Sequence, residues 1–471
     1  MTVLKKSGEI ARSGMLVSAP QGRSGKTIVS LALCDILRRR GLTVQPFKKG
    51  PDYIDSSWLT AAAGRDCRNL DLFFMQEETL LASFQRACQG ADFTLIEGAM
   101  GLYDGLDSEL GSTAQLARLL NVPVVLVVNT SRMTGSIAAM VTGYQRFQPD
   151  TNIAAVILNN VSGNRHERKL TAAVEQYCRI PVVGSIPRHA DLHMTERHLG
   201  LIPFPEDGES QSVVERIGHR LEPHLDIDNI MAIASSFKAP IRASFTSPKG
   251  KTGRAKIGVM LDKVFNFYYA ENLQALSQVG AELIFIDSLQ DRLPEIDGLY
   301  IGGGFPEFFL EELEANCQLR RDIAEAVERG LPVYAECAGL MYLCNSICWR
   351  DRRHEMVGAV PADVEISQRP QGHGYVEVEV TGENPLFPVG MTLRGHEFHH
   401  SRLSISGDLG FAYRLKRGHG VDGKVDGVIY KNMFAAYTHL HALGTPEWAE
   451  SFISLAYREK SNQPPVSALV R

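Results

Sequence analysis

Five largely apolar runs of strand length, at residues 15–19, 43–47, 93–96, 122–128 and 153–158, set the tightest limit on how this chain folds, because a helix-like segment follows each one. Strands without polar alternation are buried on both faces, and a parallel sheet covered by its own crossover helices buries both. The first half is therefore expected to be α/β. Between 203 and 254 the pattern gives way to acidic, Pro-, Ser- and Lys-containing sequence, and residues 244–253 lack apolar periodicity, which puts a domain boundary there. A second alternation then begins at 257–261, 282–286, 298–301 and 332–335, separated by amphipathic stretches such as 272–280 and 320–329. Beyond 357 the segments 375–380, 411–414 and 427–430 alternate like strands of an antiparallel addition.

A length of 471 residues is about three ordinary domains, so more than one core is expected. No run of 18 apolar residues and no secretory leader pattern is seen, so a membrane partner is not expected and the cytoplasm is the expected address. A formal charge of −5 gives nucleic acid no general attraction. Arg38, Arg39 and Arg40 read as a helix end. The eight cysteines form no Cys-x-x-Cys pair, so neither a zinc site nor a disulfide framework is expected, and most should be small buried residues.

After the first strand comes Pro20-Gln21-Gly22-Arg23-Ser24-Gly25-Lys26-Thr27, then a helical stretch with Ile28, Val29, Leu31, Leu33, Ile36 and Leu37. A loop between strand and helix aims backbone N–H groups at an anion, while Lys26 reaches outer phosphates and Thr27 can bind Mg²⁺. Pro20 stands where the common pattern has glycine. Glu97 ends the strand at 93–96 and precedes Gly98 and Gly101, so it is a candidate Mg²⁺ ligand. The loop Lys48-Lys49-Gly50-Pro51-Asp52-Tyr53-Ile54-Asp55 adds two lysines and two acids at the sheet edge where such folds collect ligands.

In the second half, Cys337 follows a buried-looking strand and precedes Ala338 and Gly339, the pattern of a nucleophile on a tight strand-to-helix turn. His439 offers a general base, and Gly302, Gly303 and Gly304 offer oxyanion donors after another strand.

These stretches together resemble the cobyrinic acid a,c-diamide synthases of corrinoid (cobalamin) biosynthesis, in which a dethiobiotin-synthetase-like ATP domain is joined to a class I glutamine amidotransferase domain. The likeness rests on SAPQGRSGKT, FKKGPDYID, RNLD at 68–71, IEGAMGLYDG, ERHLGL at 196–201, GGGFPE at 302–307, AECAGLMYL, GHEFHHSRL at 395–403 and YTHLHA, all in one order. It implies two doubly wound α/β domains, an N-terminal P-loop NTPase-like parallel sheet over 1–235 and a class I amidotransferase-like domain over 256–471, joined by a linker at 236–255. It also implies a carbon–nitrogen ligase using ATP, Mg²⁺, L-glutamine and a tetrapyrrole polycarboxylate, and a homodimer is compatible with it.

By the same resemblance, Gly22, Ser24, Gly25, Lys26 and Thr27 bind nucleotide, and Thr27 and Glu97 hold Mg²⁺. Lys48, Asp52, Asp55 and Asp104 serve substrate or catalysis, and Asn159 is placed like the adenine-reading residue. Cys337 and His439 hydrolyse glutamine, with Gly303, Gly304 and Ala338 at the oxyanion. His441 stands where many relatives of the second domain carry glutamate, which leaves its part in orienting His439 open. A metal at His396, His399 and His400 is not implied. Ser56, Ser57, Trp58, Asp66, Cys67 and Asn129 depart from the family pattern near the expected ring pocket. They keep open an amidase of sirohaem or another sirohydrochlorin-derived ring. A partitioning or metal-delivery ATPase is the alternative of a different class.

Overall fold

In the computed structural model, residues 13–107, 110–188, 196–197, 200–204, 210–238 and 255–462 are described. The chain divides into two compact units, one up to residue 245 and one from 246.

In the first unit, β1 (Ser13–Ser18), β2 (Val44–Lys49), β3 (Arg68–Leu70), β4 (Phe93–Glu97), β5 (Val124–Asn129), β6 (Ile153–Val161) and β7 (Val182–Pro187) form a seven-stranded sheet in the order β3-β2-β4-β1-β5-β6-β7. Every pairing in it is parallel. Five strands lie on the five expected runs. The run at 122–128 starts two residues late because Pro123 has no N–H for a ladder, although its carbonyl accepts from Leu16 N–H at 2.9 Å. β3 and β7 were not expected, being either three residues long or interrupted by Gly184 and Ser185. Glu97 on the central β4 pairs with Val17 of β1 on one side and with Lys48 of β2 on the other. Neighbouring residues of a parallel rung point to the same side, so Lys48 and Glu97 share the carboxyl edge of the sheet.

The helix after the phosphate loop, α1 (Lys26–Arg39), ends at the arginine run as expected. Between 203 and 254, where the strand–helix alternation gives way, lie helices at Ser210–Leu221 and Ile227–Ala234; residues 244–253 are outside the described residues. Val214, Ile217, Leu221 and Ile230 are buried in the same core as Val29 and Leu33, and their spacing is helical once the charged and polar residues between them are placed outward.

The second unit has a ten-stranded mixed sheet. Ala281–Ile286, Ala255–Met260, Gly298–Ile301, Val333–Glu336 and Met433–Ala436 run parallel in that spatial order. Val425–Tyr430, Gly410–Arg417, Gly372–Val380, Thr392–His399 and His439–Leu440 continue it antiparallel, as the alternating segments beyond 357 implied. Both faces are covered: Ile257, Tyr334, Phe434 and Trp448 lie in one core cluster, Ile301, Ile323, Val333 and Leu340 in another. Six of the eight cysteines are buried, while Cys317 is exposed and Cys348 half-buried. No described helix is long and apolar enough to cross a membrane.

Candidate functional site

In the first unit, Gly25 caps α1 with φ +99°, a conformation that side-chain-bearing residues rarely adopt. Asn159, at the end of β6, donates from its amide to the Ser24 carbonyl at 2.9 Å, so it braces the phosphate loop. Ser24 Oγ closes the loop on Gln21 O at 2.9 Å. At Gly22 a side chain would meet open space, so packing does not demand glycine there; a close-approaching ligand would. Lys26 turns its ammonium to the Met100 carbonyl at 2.6 Å. Burial, and then Lys48, lower its pKa.

The rung described above becomes a buried ion cluster. Lys48 Nζ lies 2.5 Å from Asp55 Oδ2, 2.7 Å from Glu97 Oε1 and 3.6 Å from Asp52 Oδ2. Burial opposes the lysine's charge, yet Asp55, Glu97 and Asp52 together hold its pKa well above the usual value. Burial works to raise Asp55, but the Lys48 ammonium outweighs it and brings that carboxyl below its ordinary range. Asp52 is pushed up by burial and by the charge of Asp55. Its Oδ1 accepts the Asp55 N–H at 2.9 Å, and Asn69 fixes the turn by donating to the carbonyls of Gly50 and Asp52. Thr27 Oγ1 donates to Glu97 Oε1 at 2.8 Å, while Glu97 Oε2 is buried with no hydrogen-bond partner. An unsatisfied buried carboxylate oxygen beside a threonine hydroxyl suits a hard divalent cation that takes its remaining oxygens from phosphate and water. Among the described residues no cluster of three or more His, Cys, Asp or Glu forms a self-sufficient metal cage.

Asp104 sits apart from the Lys48 cluster. It accepts the Gly101 N–H at 2.8 Å and shapes the loop after β4, close enough to Lys26 to favour its charge. Of the departures from the family pattern, Ser56, Trp58 and Cys67 are buried, Ser57 and Asn129 half-buried and Asp66 exposed. Ser56 Oγ donates to Asp52 O at 2.6 Å, Trp58 is buried against Phe204 with its indole N–H on Ile202 O, and the Cys67 N–H donates to Thr60 Oγ1. These residues build the turn and its support.

In the second unit, Cys337 follows Val333–Glu336 with φ +49° and ψ −102°, a strained turn of the kind that presents a nucleophile. Cys337 is 4 % exposed. Its N–H donates to Ala436 O at 2.7 Å, three residues before His439, so both reach the same sheet edge. Burial, followed by the charge of Glu307, pushes the thiol pKa up, while the Ala338 N–H donates towards it and opposes the rise. Gly303 lies against the His439 ring: a Cβ there would stand 2.6 Å from Cε1. Gly304 has a further reason to be glycine, since a Cβ would collide with the Val264 carbonyl in the short ladder with Phe265. The Gly302 N–H donates to Tyr268 Oη at 2.7 Å.

His439 Nδ1 lies 3.6 Å from Glu336 Oε2, and its ring stacks on His396 at 4.8 Å. His441 instead accepts the Leu443 N–H at Nδ1, and its Nε2 lies 3.6 Å from Glu271 Oε2. Sequence reasoning missed Glu336, Glu271 and Asn69; the available signal was one acid ending the otherwise uncharged strand Val333–Glu336.

A phosphate-type loop joined to a carboxylate–lysine cluster, and a strained cysteine whose strand neighbours the one leading to His439, are the features of a nucleotide-binding amidotransferase of two units. Residues 15–202 match the CobQ/CobB/MinD/ParA nucleotide binding domain, and residues 256–447 match the CobB/CobQ-like glutamine amidotransferase domain. The cobyrinate a,c-diamide synthase of Magnetococcus marinus MC-1 is 44% identical over 459 residues, covering 95% of this chain and 98% of that one. Those of Methanosarcina acetivorans (40% identical, 99% of this chain and 100% of the relative) and Archaeoglobus fulgidus (41%, 95% and 98%) are similar throughout. The chain belongs to the cobyrinate a,c-diamide synthase family. Likeness across both units leaves the partitioning ATPase without support, since such an ATPase has no use for the second.

Proposed function

We propose that the protein amidates the a and c acetate carboxylates of cobyrinic acid, using ATP and ammonia drawn from glutamine. The observation that carries this is the buried Lys48–Asp55–Glu97–Thr27 cluster beneath the phosphate loop, in a chain that also holds Cys337 and His439. In the second unit, the Cys337 proton passes to His439 and the sulfur attacks the glutamine carboxamide carbon, with N–H groups of Gly303, Gly304 and Ala338 available to the oxyanion. His439 returns the proton to the departing ammonia. Water, deprotonated by His439, then cleaves the thioester to glutamate and restores the thiol.

In the first unit, the γ-phosphoryl group of ATP is transferred to a ring carboxylate, and ammonia displaces phosphate from the resulting acyl phosphate. Lys26 binds the outer phosphates and Lys48 offsets charge on the phosphoryl group as it moves. Mg²⁺, held by Thr27 and Glu97, would neutralise phosphate charge. Asp52 and Asp55 edge the Lys48 cluster, Asp104 lies near Lys26, and reading adenine would require Asn159 to release the Ser24 carbonyl. Ser56, Trp58 and Cys67 are buried in the support of the turn and do not bear on which ring is bound.

The test is to incubate the full chain with ATP, glutamine and, separately, cobyrinic acid, hydrogenobyrinic acid, sirohydrochlorin and sirohaem, followed by mass spectrometry. Two successive replacements of OH by NH₂ on cobyrinic acid are expected. Amidation of sirohydrochlorin or sirohaem in its place would overturn the substrate. Gly25→Ala probes the phosphate loop: its Cβ would strike the Asn159 amide at a positive φ. It is expected to cost about 1–2 kcal/mol in thermal denaturation and to weaken ATP binding about tenfold by calorimetry, a loss of about 1.4 kcal/mol.

A further inference from the structure

A buried carboxylate adjoins the nucleophile of the glutaminase site. We propose that Glu336, the residue before the nucleophile, is the positioning acid that orients His439 and stabilises its protonated form, in place of a group two residues after the histidine. This deepens the glutaminase reading of Cys337 and His439 and rests on it.

Glu336 and His439 are both almost wholly buried, with Oε2 3.6 Å from Nδ1. The carboxylate is held in place from three sides. Tyr334 Oη donates to Oε1 at 2.9 Å, Tyr300 Oη to Oε2 at 3.0 Å, and the Leu440 N–H to Oε1 at 2.9 Å. The last bond ties the acid to the residue after His439, so one side chain fixes both the carboxylate and the segment carrying the base. A buried, immobilised carboxylate at Nδ1 leaves Nε2 for the proton of the nucleophile, and Nε2 is the nitrogen nearer Gly303. His441, the residue in the usual place, is turned to Glu271 and the Leu443 N–H.

The other titratable groups around His439 favour the same acid. His396, stacked on it, has its pKa held well below the usual value by burial and then by His439, so it is a neutral neighbour. Its Nδ1 meets Tyr269 Oη at 3.2 Å. Cys337 begins as a neutral thiol, its pKa raised by burial. Asp426 is committed to the N–H groups of Tyr437 and Thr438 and to the Thr438 hydroxyl. Glu336 therefore supplies the negative charge that makes proton transfer from sulfur to imidazole favourable.

The experiment measures glutamate release by the full chain across pH for wild type, Glu336→Gln, His441→Gln and Cys337→Ala, with near-UV circular dichroism and thermal denaturation as the check on folding. Glu336→Gln is expected to lower the glutaminase kcat by on the order of 10²- to 10³-fold with KM little changed. Its acidic limb should move to lower pH, because the imidazolium loses its counter-charge. A second variant, Tyr300→Phe with Tyr334→Phe, keeps the charge but frees the carboxylate, and should lower kcat about tenfold while leaving that limb in place. A wild-type pH profile in Glu336→Gln, or a shift found only in His441→Gln, overturns the assignment. Should Glu336→Gln fail to fold, unchanged kcat in the tyrosine variant overturns it. Full glutaminase activity in Cys337→Ala would overturn the underlying reading instead.

Discussion

Lys48→Met is expected to abolish amidation with either nitrogen source while glutamine hydrolysis continues. The lysine is the cation set between Asp52, Asp55 and Glu97, with 3 % of its side chain exposed. Removing it deletes the charge proposed to face the moving phosphoryl group, a loss on the order of 10²–10³ in kcat for one preorganised electrostatic contact. It also leaves carboxylates facing one another in a buried site. Breaking such a pair on one side costs about 3–5 kcal/mol when the remaining charge cannot escape. Here proton uptake by Asp52, whose carboxyl burial and Asp55 already push upward, and by Glu97, raised by burial, should relieve part of that. Steady-state rates with glutamine and with ammonium, glutamate release and thermal denaturation separate the effects. Amidation within tenfold of wild type, in a folded variant, would remove Lys48 from the chemistry.

Why the fold was so readable follows from how its sheets are buried. Residues 93–96 and 153–158 carry apolar side chains on both faces, so they announce central parallel strands without any partner in view. Edge strands carry no such mark. β3, with only Arg68, Asn69 and Leu70, is set by the loop it supports, and β7 is cut by Gly184 and Ser185. The helices at 210–221 and 227–234 escaped notice for another reason: polar, charged residues surround a narrow apolar stripe that has meaning only against α1 and the sheet.

The site divides along the same line. The phosphate loop, Glu97 and Cys337 are local, each a strand followed by a turn, and such patterns can be read from consecutive residues. The rung joining Lys48 to Glu97 spans 49 positions, and the Asn159 bond to Ser24 spans 135. Only strand order decides such contacts. Glu336 was hidden by proximity of a different kind: it adjoins Cys337 in sequence, yet its relation to His439 depends on Met433–Ala436 lying beside Val333–Glu336. The glycines read as oxyanion donors were legible as a motif, but the collision that requires glycine at 304 comes from Val264, forty residues upstream.

Cys337→Ala should reduce glutamine-driven amidation to background, a loss of at least about 10³-fold, while ammonium-driven amidation proceeds near the wild-type rate. The reason is the proposed division of labour between a thiol that releases nitrogen and a lysine–carboxylate cluster that activates the carboxylate receiving it; the alanine touches only the former. Burial and the charge of Glu307 hold the Cys337 thiol above its ordinary pKa, so little thiolate exists before substrate arrives and the proton must move to His439 within the complex. Wild-type Cys337 should therefore react slowly with iodoacetamide at neutral pH, unlike a cysteine pre-ionised by its surroundings. Equal loss with glutamine and ammonium in a folded Cys337→Ala protein would mean that the two reactions are not separable, and the assignment of one to each unit would fail.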